Sequence, residues 1–217
     1  MIRAALLACA LLPLAVAQDP NPSFKDVTDT PGLPRVLLIG DSISMGYTIP
    51  VRELLKGKAN VHRIPENGGP TTNGIKKLDS WLGSGHWDVI HFNFGLHDVK
   101  LMEDGSNQVS MSDYEKNLRL IVDRLKKTGA TLIWATSTPV PEGKVNPPRK
   151  DEDVIAYNAV AAMVMQDYGI TVDDLYLVAG ARLGEWQLPH NVHFTEAGYH
   201  GLAEAVAVSI LAALGKK

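Results

Sequence analysis

From residue 35 onward, short and almost wholly apolar runs alternate with longer stretches in which apolar residues recur every three or four positions. The runs at 35–39, 61–64, 89–94 and 130–136 read as β-strands, the third and fourth being richest in β-branched and aromatic residues. A short fifth strand is expected at 175–178. Between the runs lie helical patterns. Ser112-x-x-Glu115 has the form of a capping box, after which Tyr114, Leu118, Ile121, Val122 and Leu125 share one helix face until Gly129. Asp151 is expected to cap a second long helix with Ile155, Ala159, Ala162 and Met163 on its apolar stripe. Thr195 is expected to cap the last, which carries Leu202, Ala205, Val206, Ser209 and Ile210. Strands alternating with helices imply one parallel sheet covered on both faces. Ligands bind beyond the C-terminal ends of such strands, so the chemistry is to be sought just after each run.

Four segments stand there. Gly40-Asp41-Ser42-Ile43-Ser44 follows the first strand, where a hydroxyl can be presented in a tight turn beside backbone N–H donors. Ordinary turn chemistry explains the same residues taken singly. Asn67-Gly68-Gly69-Pro70-Thr71-Thr72 follows the second strand. Its glycines permit close backbone approach, with an N–H donor expected at Gly69, and Thr71 or Thr72 can cap the next helix. Gly95-Leu96-His97-Asp98 follows the third strand. His190-Asn191-Val192-His193-Phe194-Thr195 lies in a loop immediately before the last helix, from which His193 can reach across the sheet edge.

In order and spacing these segments resemble the four blocks of the SGNH (GDSL-like) hydrolase superfamily: Gly-Asp-Ser, the glycine block, Gly-x-Asn-Asp and Asp-x-x-His. The resemblance runs from about residue 36 to the last helix. It implies a three-layer α/β/α sandwich, flavodoxin-like, with a doubly wound parallel sheet of about five strands. It also implies ester hydrolysis through an acyl-enzyme, with no metal or organic cofactor. Carried over by position, Ser42 is the nucleophile and His193 its general base, and the N–H groups of Ser42 and Gly69 form two legs of the oxyanion hole.

Two positions depart from the family pattern. His97 stands where the family has the asparagine that completes the oxyanion hole, and an imidazole N–H donates there only in the correct tautomer. His190 stands where the family has the aspartate that orients the base, and a neutral imidazole is a poor substitute for a carboxylate. Three outcomes follow for His193: a backbone carbonyl orients it as part of a dyad, a carboxylate from elsewhere (Asp98, Glu185 or Glu196) stands in, or the site is disabled.

Two rival readings remain. In one, His190, His193, His97, Asp98 and Asp41 form a nitrogen/oxygen metal site. In the other, the two substitutions mark a non-catalytic module that binds carbohydrate. Within the esterase reading, the proline-rich loop 138–150 is expected to form one lip of the cleft. Its Arg149 and Lys150 either meet an anionic substrate or form a solvated run. Tyr47, Phe94, Trp186 and Phe194 either stack on a sugar or pack in the core. A short-chain ester, such as an O-acetyl group on a carbohydrate, is preferred over lysophospholipase or thioesterase substrates.

The remaining sequence sets the compartment. Arg3, the apolar stretch 4–16 and Ala15-Val16-Ala17 have the form of a signal peptide over residues 1–17, cleaved after Ala17. The apolar run is too short for the roughly 20 residues of a spanning helix, so no membrane span is expected in the mature protein. The only cysteine, Cys9, lies inside this leader, which leaves the mature chain no thiol for a disulfide, a zinc site or a nucleophile. Residues 18–34, rich in proline and Asp, read as a linker to a single hydrolase domain at 35–217. The net charge of −3 is well mixed along the chain and favours no nucleic-acid partner.

Overall fold

The computed structural model describes residues 21–215, so the expected leader and its cleavage point lie outside the described residues. Five strands form one parallel sheet in the order β2-β1-β3-β4-β5: β1 Arg35–Ile39, β2 Asn60–Arg63, β3 Val89–Phe92, β4 Thr131–Ala135 and β5 Thr171–Asp173. The chain reverses direction across the sheet between β1 and β3, the place where doubly wound folds bind ligands. On one face, α1 (Ser42–Leu54) packs against α7 (Glu196–Leu214), and α7 lies over β3, β4 and β5. α2 (Thr71–Leu82), α3 (Met111–Lys126) and α4 (Asp151–Tyr168) pack in a row and form the third layer. The short helices α5 (Leu175–Gly180) and α6 (Leu183–Trp186) lead into the final loop.

Strands flanked on both faces should be apolar throughout. Accordingly β3 is buried at all four positions, and β1 and β4 at all but their first residue. Trp134, Phe92, Tyr114 and Tyr157 are among the largest fully buried side chains, and each tyrosine hydroxyl donates to a backbone carbonyl. α7 alone among the described helices is long and apolar enough to cross a membrane by length and composition. Here its face carrying Leu202, Val206 and Ile210 is buried against α1 and the sheet.

Several expectations shift. The fifth strand is at Thr171–Asp173, directly after the left-handed Gly169 that ends α4. Residues 175–178 are helical because Asp174 caps them, its carboxylate accepting from Leu177 N–H. α3 is capped by Ser110, with Asp113 as its acidic partner, rather than by Ser112 and Glu115. The two pairs share one spacing. The choice falls to buried Val109 and Tyr114, which occupy the flanking positions of a hydrophobic staple. Asp151 does not cap α4. It lies inside the first turn and accepts from Val140 N–H and from the Tyr176 hydroxyl, tying down loop 138–150. α4 is apolar nearly all round, and the face it buries carries Val154, Tyr157, Ala161, Val164 and Met165, leaving Ile155 and Met163 exposed. Residues 21–34 are not a free linker: Ser23 is buried, and the Asn60 amide bonds both Thr30 and Leu33.

Candidate active site

Ser42 is the first residue of α1, at the tip of β1. Asp41 caps the helix, its Oδ1 accepting from Ile43 N–H at 2.9 Å. The Ser42 N–H, at this position, has no acceptor within its own helix and sits at the positive end of the helix dipole. The turn is held from beneath by Arg63, the last residue of β2. The two terminal nitrogens of its guanidinium share their four N–H groups among five acceptors, the carbonyls of Gly40, Asp41, Ile64 and Glu66 and Ser44 Oγ. Burial pulls the Arg63 pKa down to about 10, with Asp41 opposing. The group therefore stays charged at neutral pH, and Phe24 lies over it at 5.2 Å. The glycine block closes against the same turn: Gly68 N–H donates to Gly40 O, and a Cβ on Gly68 would stand 2.9 Å from that oxygen.

The base arrives from the far end of the chain. α1 and α7 approach closely because Gly46 leaves room for the Tyr199 ring, which any Cβ there would strike. Thr195 caps α7 as expected, accepting from Gly198 N–H. Just before it, His193 Nε2 lies 2.9 Å from Ser42 Oγ. Its Nδ1 lies 2.7 Å from Asn191 Oδ1, the atom that also accepts the backbone N–H of His193 at 3.1 Å. This pair of contacts settles the proton positions. A backbone N–H can only donate, so the Asn191 atom is the carbonyl oxygen, Nδ1 must carry the ring proton, and Nε2 presents a lone pair to the Ser42 hydroxyl. Burial lowers the His193 pKa below its ordinary 6.5; Arg149 pushes the same way and Asp41 opposes. The neutral form a general base needs is thereby favoured.

Asn191 is thus the orienting group, and the groups expected in that role stand elsewhere. His190 is exposed at φ 53°, its ring against Gly143. Glu185 is exposed and pairs with Arg182 at 3.6 Å. Glu196 is exposed in the first turn of α7. Asp98 is fully buried, its Oδ1 accepting from Thr71 N–H at 2.9 Å and Thr71 Oγ at 2.5 Å. Burial pushes the Asp98 carboxyl up to about 7 against those hydrogen bonds. Thr71 consequently spends its hydroxyl on Asp98 rather than on capping α2, whose cap position is Pro70. An Asn two residues ahead of a His is a recognisable Asx-turn signal. Arg63 carries no signal beyond being a cation inside a strand.

Of the expected oxyanion donors, Gly69 N–H is engaged by Asn67 Oδ1 at 3.0 Å, so an oxyanion would have to compete with a neutral amide for it. His97 is half-buried, with Nδ1 3.0 Å from Lys100 Nζ. Burial lowers its pKa, with Asp41 opposing and Lys100, Arg149 and His193 pushing further down. Arg149 is buried, donating to Leu96 O at 2.6 Å and to Pro147 O, and so braces the turn that carries His97. Lys150 is exposed. Tyr47, Phe94 and Phe194 are core residues, while Trp186 is half-buried with the Arg182 guanidinium 5.8 Å from its ring. Among the described residues, no group of three or more His, Cys, Asp or Glu is placed to hold a metal ion, and both ring nitrogens of His193 are already engaged.

Behind the nucleophile turn, a cavity of about 10 Å³ is lined by Asp41, Tyr47, Asn93 and Thr138 among others, room for one water. A larger open groove of about 270 Å³ runs along the loop that precedes the base, between Pro141 and Glu142 on one side and Leu183, Leu188 and His190 on the other.

The sequence model of the GDSL-like lipase/acylhydrolase family matches residues 38–200. No curated protein matches the chain significantly. Among solved structures, the acetyl xylan esterase AlAXEase superposes with a TM-score of 0.70 at 18% identity, covering 81% of this chain and 99% of that one. A lipase/acylhydrolase from Enterococcus faecalis gives 0.72 at 21% identity, covering 82% and 95%. The acetylxylan esterase Axe2 from Geobacillus stearothermophilus gives 0.67 at 19% identity, covering 82% and 94%. At these identities the likeness is one of fold.

Proposed function

Because the chain belongs to the GDSL-like lipase/acylhydrolase family and is a serine carboxylic ester hydrolase, we propose that it is an exported enzyme that removes short acyl groups, such as O-acetyl, from carbohydrate through an acyl-enzyme on Ser42. The observation that carries the residue roles is the 2.9 Å approach of His193 Nε2 to Ser42 Oγ, in the tautomer that accepts. As the Ser42 oxygen bonds to the ester carbon, His193 takes its proton. The oxyanion that forms is met by the Ser42 N–H and by His97, with Gly69 N–H joining when it leaves Asn67. His193 then returns the proton to the departing alkoxide. Water attacks the acyl-enzyme with the same base, releasing the carboxylic acid and restoring Ser42. Asn191 holds the ring but carries no charge, so the imidazolium gains less stabilisation than an aspartate would provide.

Two observations support the substrate class. The enclosed space behind the nucleophile admits one water and no acyl chain. Two solved structures of similar fold are described as acetyl xylan esterases. Export rests on the leader-like residues 1–17. A fluorophosphonate is expected to label Ser42, and a p-nitrophenyl ester series is expected to peak at acetate. A rate rising steadily toward long chains would overturn the short-acyl reading. Acetate release from acetylated xylo-oligosaccharides tests the carbohydrate, and N-terminal sequencing of secreted protein is expected to begin at Gln18.

A further inference from the structure

We infer that Lys100 is a positioning residue for the oxyanion donor: its ammonium, donating to His97 Nδ1, holds the imidazole in the tautomer whose Nε2–H is free to meet a substrate oxyanion. The inference rests on the proposed reading of this site as an ester-hydrolysing centre. An asparagine amide always has N–H groups to offer, whereas a neutral imidazole has one proton shared between two nitrogens. A histidine in the asparagine's place therefore needs something to decide which nitrogen keeps it. Lys100 Nζ lies 3.0 Å from Nδ1, and an ammonium has donors and no lone pair. Nδ1 must then accept, and the proton of neutral His97 stands on Nε2. No described residue takes that Nε2 in a hydrogen bond, and the residue is only half-buried.

The surroundings serve this arrangement. The backbone from Gly95 to Lys100 is a turn closed by Val99 N–H to Gly95 O and Lys100 N–H to His97 O, placing the two side chains three residues apart on one side. Lys100 is fixed further by Gln108 N–H donating to its carbonyl, and its neighbour Leu101 donates to Pro148 O. Burial, and after it Arg149, lowers the Lys100 pKa from its ordinary value, with Asp41 and Asp98 acting against them in favour of the ammonium. Burial, Lys100, Arg149 and His193 together disfavour a second proton on His97. The ring is thus a neutral single donor, and a cation behind it polarises Nε2–H toward a developing negative charge.

The test combines ring-nitrogen NMR of His97 with p-nitrophenyl acetate kinetics on the full chain. Wild type is expected to show the Nε2–H tautomer. Lys100→Met is expected to give a mixed tautomer and a kcat lower by about tenfold with KM little changed, a fraction of what losing one oxyanion donor costs. Lys100→Arg, which keeps a donor, is expected to restore both. In the His97→Asn background the Lys100→Met change is expected to cost less than twofold, since an amide has no tautomer to hold. Wild-type His97 protonated on Nδ1 would overturn the inference, as would an equal loss in both backgrounds. The NMR arm reads the tautomer even if no ester is turned over, so failure of the hydrolase reading is told apart from failure of this one.

Discussion

Ser42 and His193 meet at 2.9 Å, yet the segments that deliver them are held in contrasting ways. The nucleophile turn is a buried junction of strand, helix cap and glycine loop, with one internal cation gathering five acceptors beneath it. The base loop lies at the surface, and His193 is aimed by a single exposed side chain two residues away. The difference follows from what each end must provide. In the proposed reaction the nucleophile's own backbone N–H meets the oxyanion, so a small shift of the turn would cost both attack and stabilisation. The base needs only its ring direction and its tautomer, and one Asx turn supplies both.

Perturbing the two ends separately should expose this contrast. Ser42→Ala is expected to lower kcat on p-nitrophenyl acetate by roughly 10⁴-fold or more, with an unchanged thermal melt. Arg63→Met strands several buried carbonyls and is expected to cost about 3 kcal/mol of stability, read by urea unfolding, with activity falling alongside. Asn191→Ala acts on the exposed side. It is expected to lower kcat by about 10- to 100-fold while leaving the melt within a degree or two, because an exposed side chain supports little of the fold. A loss of stability as large as that of Arg63→Met would erase the contrast.

The acidic limb of the pH–rate profile sharpens it. Protonation of His193 stops turnover, and burial lowers its pKa, so activity should fall off only below pH 6.5. Asn191→Asp places a carboxylate on Nδ1–H and favours the imidazolium. The limb should therefore move to higher pH, with kcat rising several-fold at pH 8, where the base is still neutral. His190→Asp is expected to change kcat by less than twofold, because residue 190 is exposed and turned toward Gly143. A large gain there would return the orienting role to position 190.

Some of this was readable along the chain. The positions of β1 to β4, the Thr195 cap and the order of the four motifs follow from local pattern, because a strand covered on both faces is written as an apolar run and a helix cap involves residues only two or three positions apart. So does the placement of Ser42 and His193 at strand and helix ends. Other features escaped for identifiable reasons. β5 is three residues long, mostly exposed and has a single apolar residue, so the apolar run of α5 that follows reads as the strand in its place. The buried face of α4 is undefined by periodicity in a helix that is apolar nearly all round.

By itself, then, the sequence determined a parallel sheet with a serine at its first tip and a histidine before its last helix. Those outcomes are legible because apolar runs, helix caps and turn residues are patterns within a few positions of one another. Only the tertiary structure decided that Asn191 rather than His190 aims the base, that Asp98 is spent on Thr71, and that Arg63 underpins the nucleophile turn. Hydrogen bonds are directional and reach about 3 Å. Which donor meets which acceptor is settled when segments distant in sequence, such as β2 under the turn after β1, are packed together.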